Sequence, residues 1–77
     1  MTSAEQAAIT SFLQVVKEKP GIKLVSTIED NPDCGIYVKI PEPRDMACLA
    51  VAQTNGNQWF ALDLECNFHY FESDEVF

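Results

Sequence analysis

No lysine or arginine follows Arg44 in this 77-residue chain. All five bases (Lys17, Lys19, Lys23, Lys39 and Arg44) fall within residues 1–44, where they nearly balance six acids. Residues 45–77 carry six more acids (Asp45, Asp63, Glu65, Glu72, Asp74 and Glu75) with nothing to offset them. Partners that bind through clustered Lys and Arg, namely nucleic acids and anionic membranes, are therefore not expected to contact the chain directly. Glycine is also scarce, at three residues, so no loop can cradle a phosphate. The three cysteines (Cys34, Cys48, Cys66) are odd in number and widely spaced, unlike a disulfide framework. No apolar run approaches the ~18 residues of a membrane-crossing helix. The opening MTSAEQAAITSF has no basic, apolar leader, so a reducing cytoplasm is the expected setting.

What is present fits one small domain with a thin core, since so short a chain buries only about 60% of its unfolded surface. Ile9, Phe12, Leu13 and Val16 recur at the helical period, predicting a helix over 3–18. Thr2 with Glu5, or Ser3 with Gln6, can form its capping box, and Pro20-Gly21 stops it. IKLVSTIE (22–29) and GIYVKI (35–40) read as strands around the turn-rich Asp30–Asp33 stretch. Pro41-Glu42-Pro43 cannot continue a ladder and reads as a stiff connector.

ACLAVAQTNGNQWFALDLE predicts a hairpin around Asn55-Gly56, the favoured two-residue turn. In that register Val51 faces Phe60, Leu49 faces Leu62 and Ala52 faces Trp59, while Ala50 faces Ala61 and Cys48 faces Asp63. One face is then large and apolar. The other is apolar but small, with Ala50, Ala52 and Ala61, and reads as a contact with a second copy unless a loop or the tail covers it. CNFHYFES either extends the last strand or turns near Glu65-Cys66-Asn67 into a fifth. The expected architecture is α+β: one N-terminal helix packed on a four- to five-stranded antiparallel sheet, an α-β-β-β-β meander. Residues 1–77 form the single domain, with 72–77 as a mobile acidic tail.

Catalytic patterns are wanting. Cys66-x-x-His69 is the best metal or nucleophile pair, but an odd spacing on a strand sends the two to opposite faces, and no second ligand pair exists. No cofactor or metal is expected, and the chain reads as a non-enzyme. What remains is surface. Trp59, Asp63 and Glu65 share a strand face if the strand continues, with carboxylates ~6.7 Å apart, close to two phosphate steps of DNA. With Phe71, Glu72, Asp74, Glu75 and Phe77 they form the candidate partner-binding surface; Ala50, Ala52 and Ala61 form the candidate self-association patch.

The end ESDEVF resembles the acidic, phenylalanine-terminated tips of bacterial single-strand DNA-binding proteins, over Glu72–Phe77 only. It departs from them in lacking the proline before the final phenylalanine. The resemblance implies docking of the tail on a basic pocket. Two functions follow as expectations. One is a small inhibitor or decoy, of the kind phages and mobile elements encode, that occupies a basic, nucleic-acid-binding surface of a partner protein. The other is an oligomeric accessory or regulatory subunit, a homodimer for instance, assembled through the small-residue face. Screening separates them: the first contact weakens steeply with salt, the second does not.

Overall fold

The computed structural model describes residues 1–76. Helix α1 (Ser3–Glu18) is followed by five strands, β1 (Ile22–Thr27), β2 (Gly35–Val38), β3 (Arg44–Thr54), β4 (Gln58–Asp63) and β5 (Phe68–Glu72), all antiparallel. The α+β reading therefore holds. Thr2 caps α1 reciprocally with Glu5, Glu5 N donating to Thr2 Oγ1 (3.1 Å) and Thr2 N to Glu5 Oε1 (2.9 Å). Ile9 and Phe12 are buried, whereas Leu13, counted into the apolar stripe, lies on its margin at 36% exposure.

Strands β1 and β2 do not pair with each other. Both run antiparallel to β3, β1 along residues 50–54 and β2 along 44–47, so they share one edge of β3 in succession. The main sheet is ordered β1-β3-β4-β5. The second half of β3 belongs to this sheet, while its first half leaves with β2 as a separate ladder. Val38, at the far end of that ladder, forms a bridge with Val76, only four residues beyond Glu72. In a straight β3 the Arg44 and Thr54 rows would lie ~33 Å apart, out of reach of those four residues. Strand β3 is thus sharply bent, and the β2–β3 ladder folds back across the main sheet.

The bend sits at a bulge. Pairing runs Gln53↔Trp59, Ala52↔Phe60, Val51↔Ala61 and Ala50↔Leu62, then skips Leu49 and resumes at Cys48↔Asp63. The register is displaced by one from the expected hairpin between Ala50 and Gln53, and the bulge restores it at Cys48. The displacement comes from the turn. Its loop is three residues, Asn55–Asn57, closed by Asn57 N to Thr54 O (3.1 Å), with Asn57 itself at φ 62. That loop, a tight turn ending in a left-handed residue, is the next commonest way to close a hairpin after the two-residue turn. Thr54 Oγ1 selects it by accepting Gln58 N (3.1 Å).

The slip changes what faces what. Ala50 and Ala52 now lie with Phe60 and Leu62 beneath α1, joined by Leu49, Ile9 and Phe12 in one core. Ala61 lies on the opposite face with Val51, in a second core completed by Cys34, Val38, Met46, Cys48 and Phe71. Large residues meet small ones across the ladder, so both faces pack closely. All three alanines are 0% exposed. The expected self-association patch is therefore not a surface: the helix covers two of its members, and the chain's own β2–β3 ladder and Val76 cover the third.

The chain beyond β5, expected to fray, takes a defined path. Ser73–Glu75 form a 3-10 turn, Lys39 N donates to Glu75 O (2.8 Å), and Val76 packs on the second core.

Two substitutions check this packing. A Cβ on Gly35 would stand 2.8 Å from Met46 O, a backbone atom that cannot step aside. Gly35→Ala should cost on the order of 1–3 kcal/mol in urea unfolding, while Gly56→Ala, whose Cβ meets nothing closer than 3.7 Å, should cost far less. Ala61→Arg should unfold the protein rather than alter an assembly, because the site holds no solvent. A folded Ala61→Arg variant of native stability would contradict the buried placement.

Candidate functional site

The acidic third is organised around Asp63. Strand β4 ends there, and the turn Leu64–Cys66 repeats the geometry of the first hairpin: Cys66 N donates to Asp63 O (3.0 Å), and Cys66 takes φ 69. The Asp63 carboxylate plays the part that Thr54 plays earlier. Its Oδ1 accepts Asn67 N (2.8 Å) and Glu65 N (2.9 Å), and its Oδ2 meets His69 Nε2 at 2.7 Å. Partial burial pushes the Asp63 carboxyl up, but the bonds from His69, Asn67 and Glu65 outweigh it and hold the group below its ordinary value. His69 stacks parallel on Phe71, ring centroids 5.9 Å apart.

This geometry redistributes the expected partner-binding surface. Trp59 is half-buried against the second core and Phe71 is buried, because the folded-back ladder covers their face of the sheet. Neither can serve as an exposed aromatic anchor. Asp63 is committed to the turn and to His69. Glu65 lies in that turn and not on the strand, so the strand-spaced row of carboxylates does not form. Glu72 and Asp74 are exposed and Glu75 is half-buried; Glu72 accepts Tyr70 Oη–H (3.0 Å), and Glu75 Oε2 accepts Glu72 N (3.3 Å). Phe77 lies outside the described residues.

The cysteines and the histidine do not converge. Cys66 Sγ points toward Ala4 O of α1 (4.0 Å), on the helix side, while His69 faces Asp63 on the other. Cys34 and Cys48 are buried, and burial followed by the neighbouring Cys34 pushes the Cys48 thiol up to about 12. Thiolate, the reactive form, is thereby suppressed. The cleft of about 290 Å³ beside His69 is lined by Arg44, Asp45, Asp63 and Glu65 among others, with no Ser, Thr or Cys to act as nucleophile. Among the described residues no group of three His, Cys, Asp or Glu could hold a metal ion.

A surface the sequence reading passed over lies on the helix side. Phe68 and Tyr70 alternate with His69 and Phe71, so β5 is aromatic on both faces. The helix-side pair is left 54% and 46% exposed. Phe68 packs between Phe12 (6.0 Å) and Phe60 (5.5 Å), and Phe60 meets Tyr70 edge-on at 5.2 Å. Two apolar side chains at i and i+2 of an edge strand, with one α-helix among the described residues to cover a whole sheet face, were the available signal.

Among the described residues no helix is long and apolar enough to cross a membrane. No protein-family model, no curated protein and no solved structure matches this chain.

The Asp63 network has a pH signature. Its folded pKa is lowered, so its stabilisation is full above the unfolded value of about 3.9 and is lost as pH falls through the folded value. Asp63→Ala should cost roughly 1–3 kcal/mol at neutral pH, since two backbone N–H groups and His69 lose their acceptor. Urea midpoints of the native protein and the variant should converge below about pH 4. A gap unchanged down to pH 2 would show that the carboxylate charge contributes nothing.

Proposed function

We propose that this chain is a small, acidic, non-catalytic protein-binding module that occupies a basic surface of a partner protein. The observation that carries this reading is the separation of charge across the main sheet. Lys17 and Lys19 end α1 and Lys23 lies on β1, at one edge. Glu72, Asp74 and Glu75 gather at the end of β5, the opposite edge, with Glu65 exposed in the turn that enters it. Two bases adjoin this acidic edge, Lys39 through its backbone bond to Glu75 and Arg44 in the cleft it shares with Asp63, Glu65 and His69. A one-sided field of this kind steers association and selects partners of opposite sign.

The non-catalytic part is supported by the scattering of the nucleophiles. Two thiols are buried, the third points at α1, and the single imidazole is engaged by a carboxylate. A decoy built on evenly spaced strand carboxylates has less support, since Glu65 leaves the strand. The self-assembly reading through Ala50, Ala52 and Ala61 has lost its surface.

The test is capture of binding partners on the immobilised protein from cells that express it. The proteins retained should carry basic surfaces and elute before about 1 M salt, where screening shortens to ~3 Å. Replacing Glu72, Asp74 and Glu75 by Gln should abolish retention while leaving the unfolding free energy within about 1 kcal/mol of native, since an amide oxygen can still accept from Tyr70 Oη and from the residue-72 N–H. Partners that resist high salt and ignore the triple substitution would sink the reading.

A further inference from the structure

The main sheet is four strands wide, ~14 Å between its outer strands plus side chains, whereas a helix with its side chains covers ~10 Å. Helix α1 lies over β1, β3 and the near side of β4 and reaches β5 at its margin, where Phe12 meets Phe68, so that most of β5 stays uncovered. The uncovered strip is a slot walled on one side by α1 and floored by Phe60, Leu62 and Phe68. Two clefts of about 360 and 240 Å³ flank Phe68 within it, one running toward Lys19 and Ile22, the other toward Ala8 and Cys66. Lys19 is the only charged residue lining either cleft. The outer rim carries Glu72, which shares a face of β5 with Phe68 and Tyr70 and has its carboxylate fixed by the Tyr70 hydroxyl; Glu65, in the turn before β5, lines the cleft beside His69 instead.

Nothing in the described chain fills the slot. Residues 73–76 turn away to the opposite face, where Val76 meets Val38. A second copy seating its helix there would press exposed Thr10, Gln14 and Lys17 toward an apolar slot, since α1 spends most of its apolar face on its own sheet and leaves Leu13 and Val15 partly exposed. The five residues of β5 span ~17 Å, matching about eleven residues of α-helix.

We propose that the slot between α1 and β5 receives one amphipathic helix of a partner protein, about three turns long, apolar toward Phe68 and carrying lysine or arginine on the flank that passes Glu72. This rests on the acidic, protein-binding reading above and names the element it recognises. Apolar anchors at i, i+3 or i+4 and i+7 reach the clefts on either side of Phe68, and the basic flank supplies register and orientation.

Three labelled peptides of fourteen residues test it by fluorescence anisotropy. The first carries Leu at i, i+3, i+4 and i+7 with Lys elsewhere, the second has Glu in place of Lys, and the third scrambles the first. The Leu/Lys peptide should bind the native protein about tenfold or more tighter than either control, the scale expected when one large apolar side chain is buried. Phe68→Ser and Val15→Lys, both at exposed positions, should each lose that advantage without unfolding. If the scrambled peptide binds equally, or both variants bind like native, the contact is charge alone: the slot is not used, and the broader acidic reading stands. Equal binding of the Glu peptide overturns the basic flank and counts against the broader reading as well. Absence of saturable binding below about 1 mM overturns the proposal. So does a dimer, seen in sedimentation, that Phe68→Ser dissolves, because it assigns the slot to a second copy.

Discussion

The bulge at Leu49 lets a single strand serve two ladders that face different ways. One extra residue between Cys48 and Ala50 bends β3. Its first half then carries β2 over the main sheet while its second half remains within it. The second core exists because of that bend: Cys34, Val38 and Met46 arrive from the folded-back ladder to meet Val51, Ala61 and Phe71. The Val38–Val76 bridge and the Lys39–Glu75 hydrogen bond then tie the chain's last segment to the ladder's far end. A 77-residue protein thereby obtains two cores from one sheet, which offsets the high surface-to-volume ratio of so short a chain.

The same device explains why the acidic surface is not where strand alternation puts it. Covering the second face draws Trp59 and Phe71 inward, and the Asp63 turn takes Glu65 off the strand. What remains exposed is the acidic end of β5 beside an aromatic strip that α1 is too narrow to cover. Charge and apolar area are adjacent there without being mixed, the arrangement common at recognition surfaces where a polar rim surrounds an apolar centre.

Much of the fold was legible in the residues. The spacing of Ile9, Phe12 and Val16, the Thr2–Glu5 box and the Pro20-Gly21 stop placed the helix, because each is a local signal with a local cause. The β3–β4 hairpin was legible in existence but not in register, since Asn55-Gly56 also fits a three-residue loop when Thr54 can hold Gln58 and Asn57 accepts a left-handed backbone. The alanines were misplaced for the same reason: one step of register exchanges the faces of β3. The bend was not legible at all. It is a long-range consequence of two cores competing for one strand, and nothing in CLAVA marks Leu49 as the extra residue. Of the site, the charge asymmetry could be read directly. The open strip could not, because it depends on which strands a lone helix happens to cover.

From Cys48 to Ala52 every residue is buried, five in succession, each against one core or the other. A surface strand alternates, so half its positions can drift freely; this one has no idle position. In mutational terms CLAVA is the least forgiving stretch of the chain, where an added methylene meets a packed wall whichever way it points. The outer face of α1, a helix diameter of ~10 Å away, bears Thr10, Gln14 and Lys17 in open solvent and is free to vary. Divergent copies of this protein should be recognisable by that contrast, a fixed apolar pentad under a drifting polar helix, long before their overall sequences look alike.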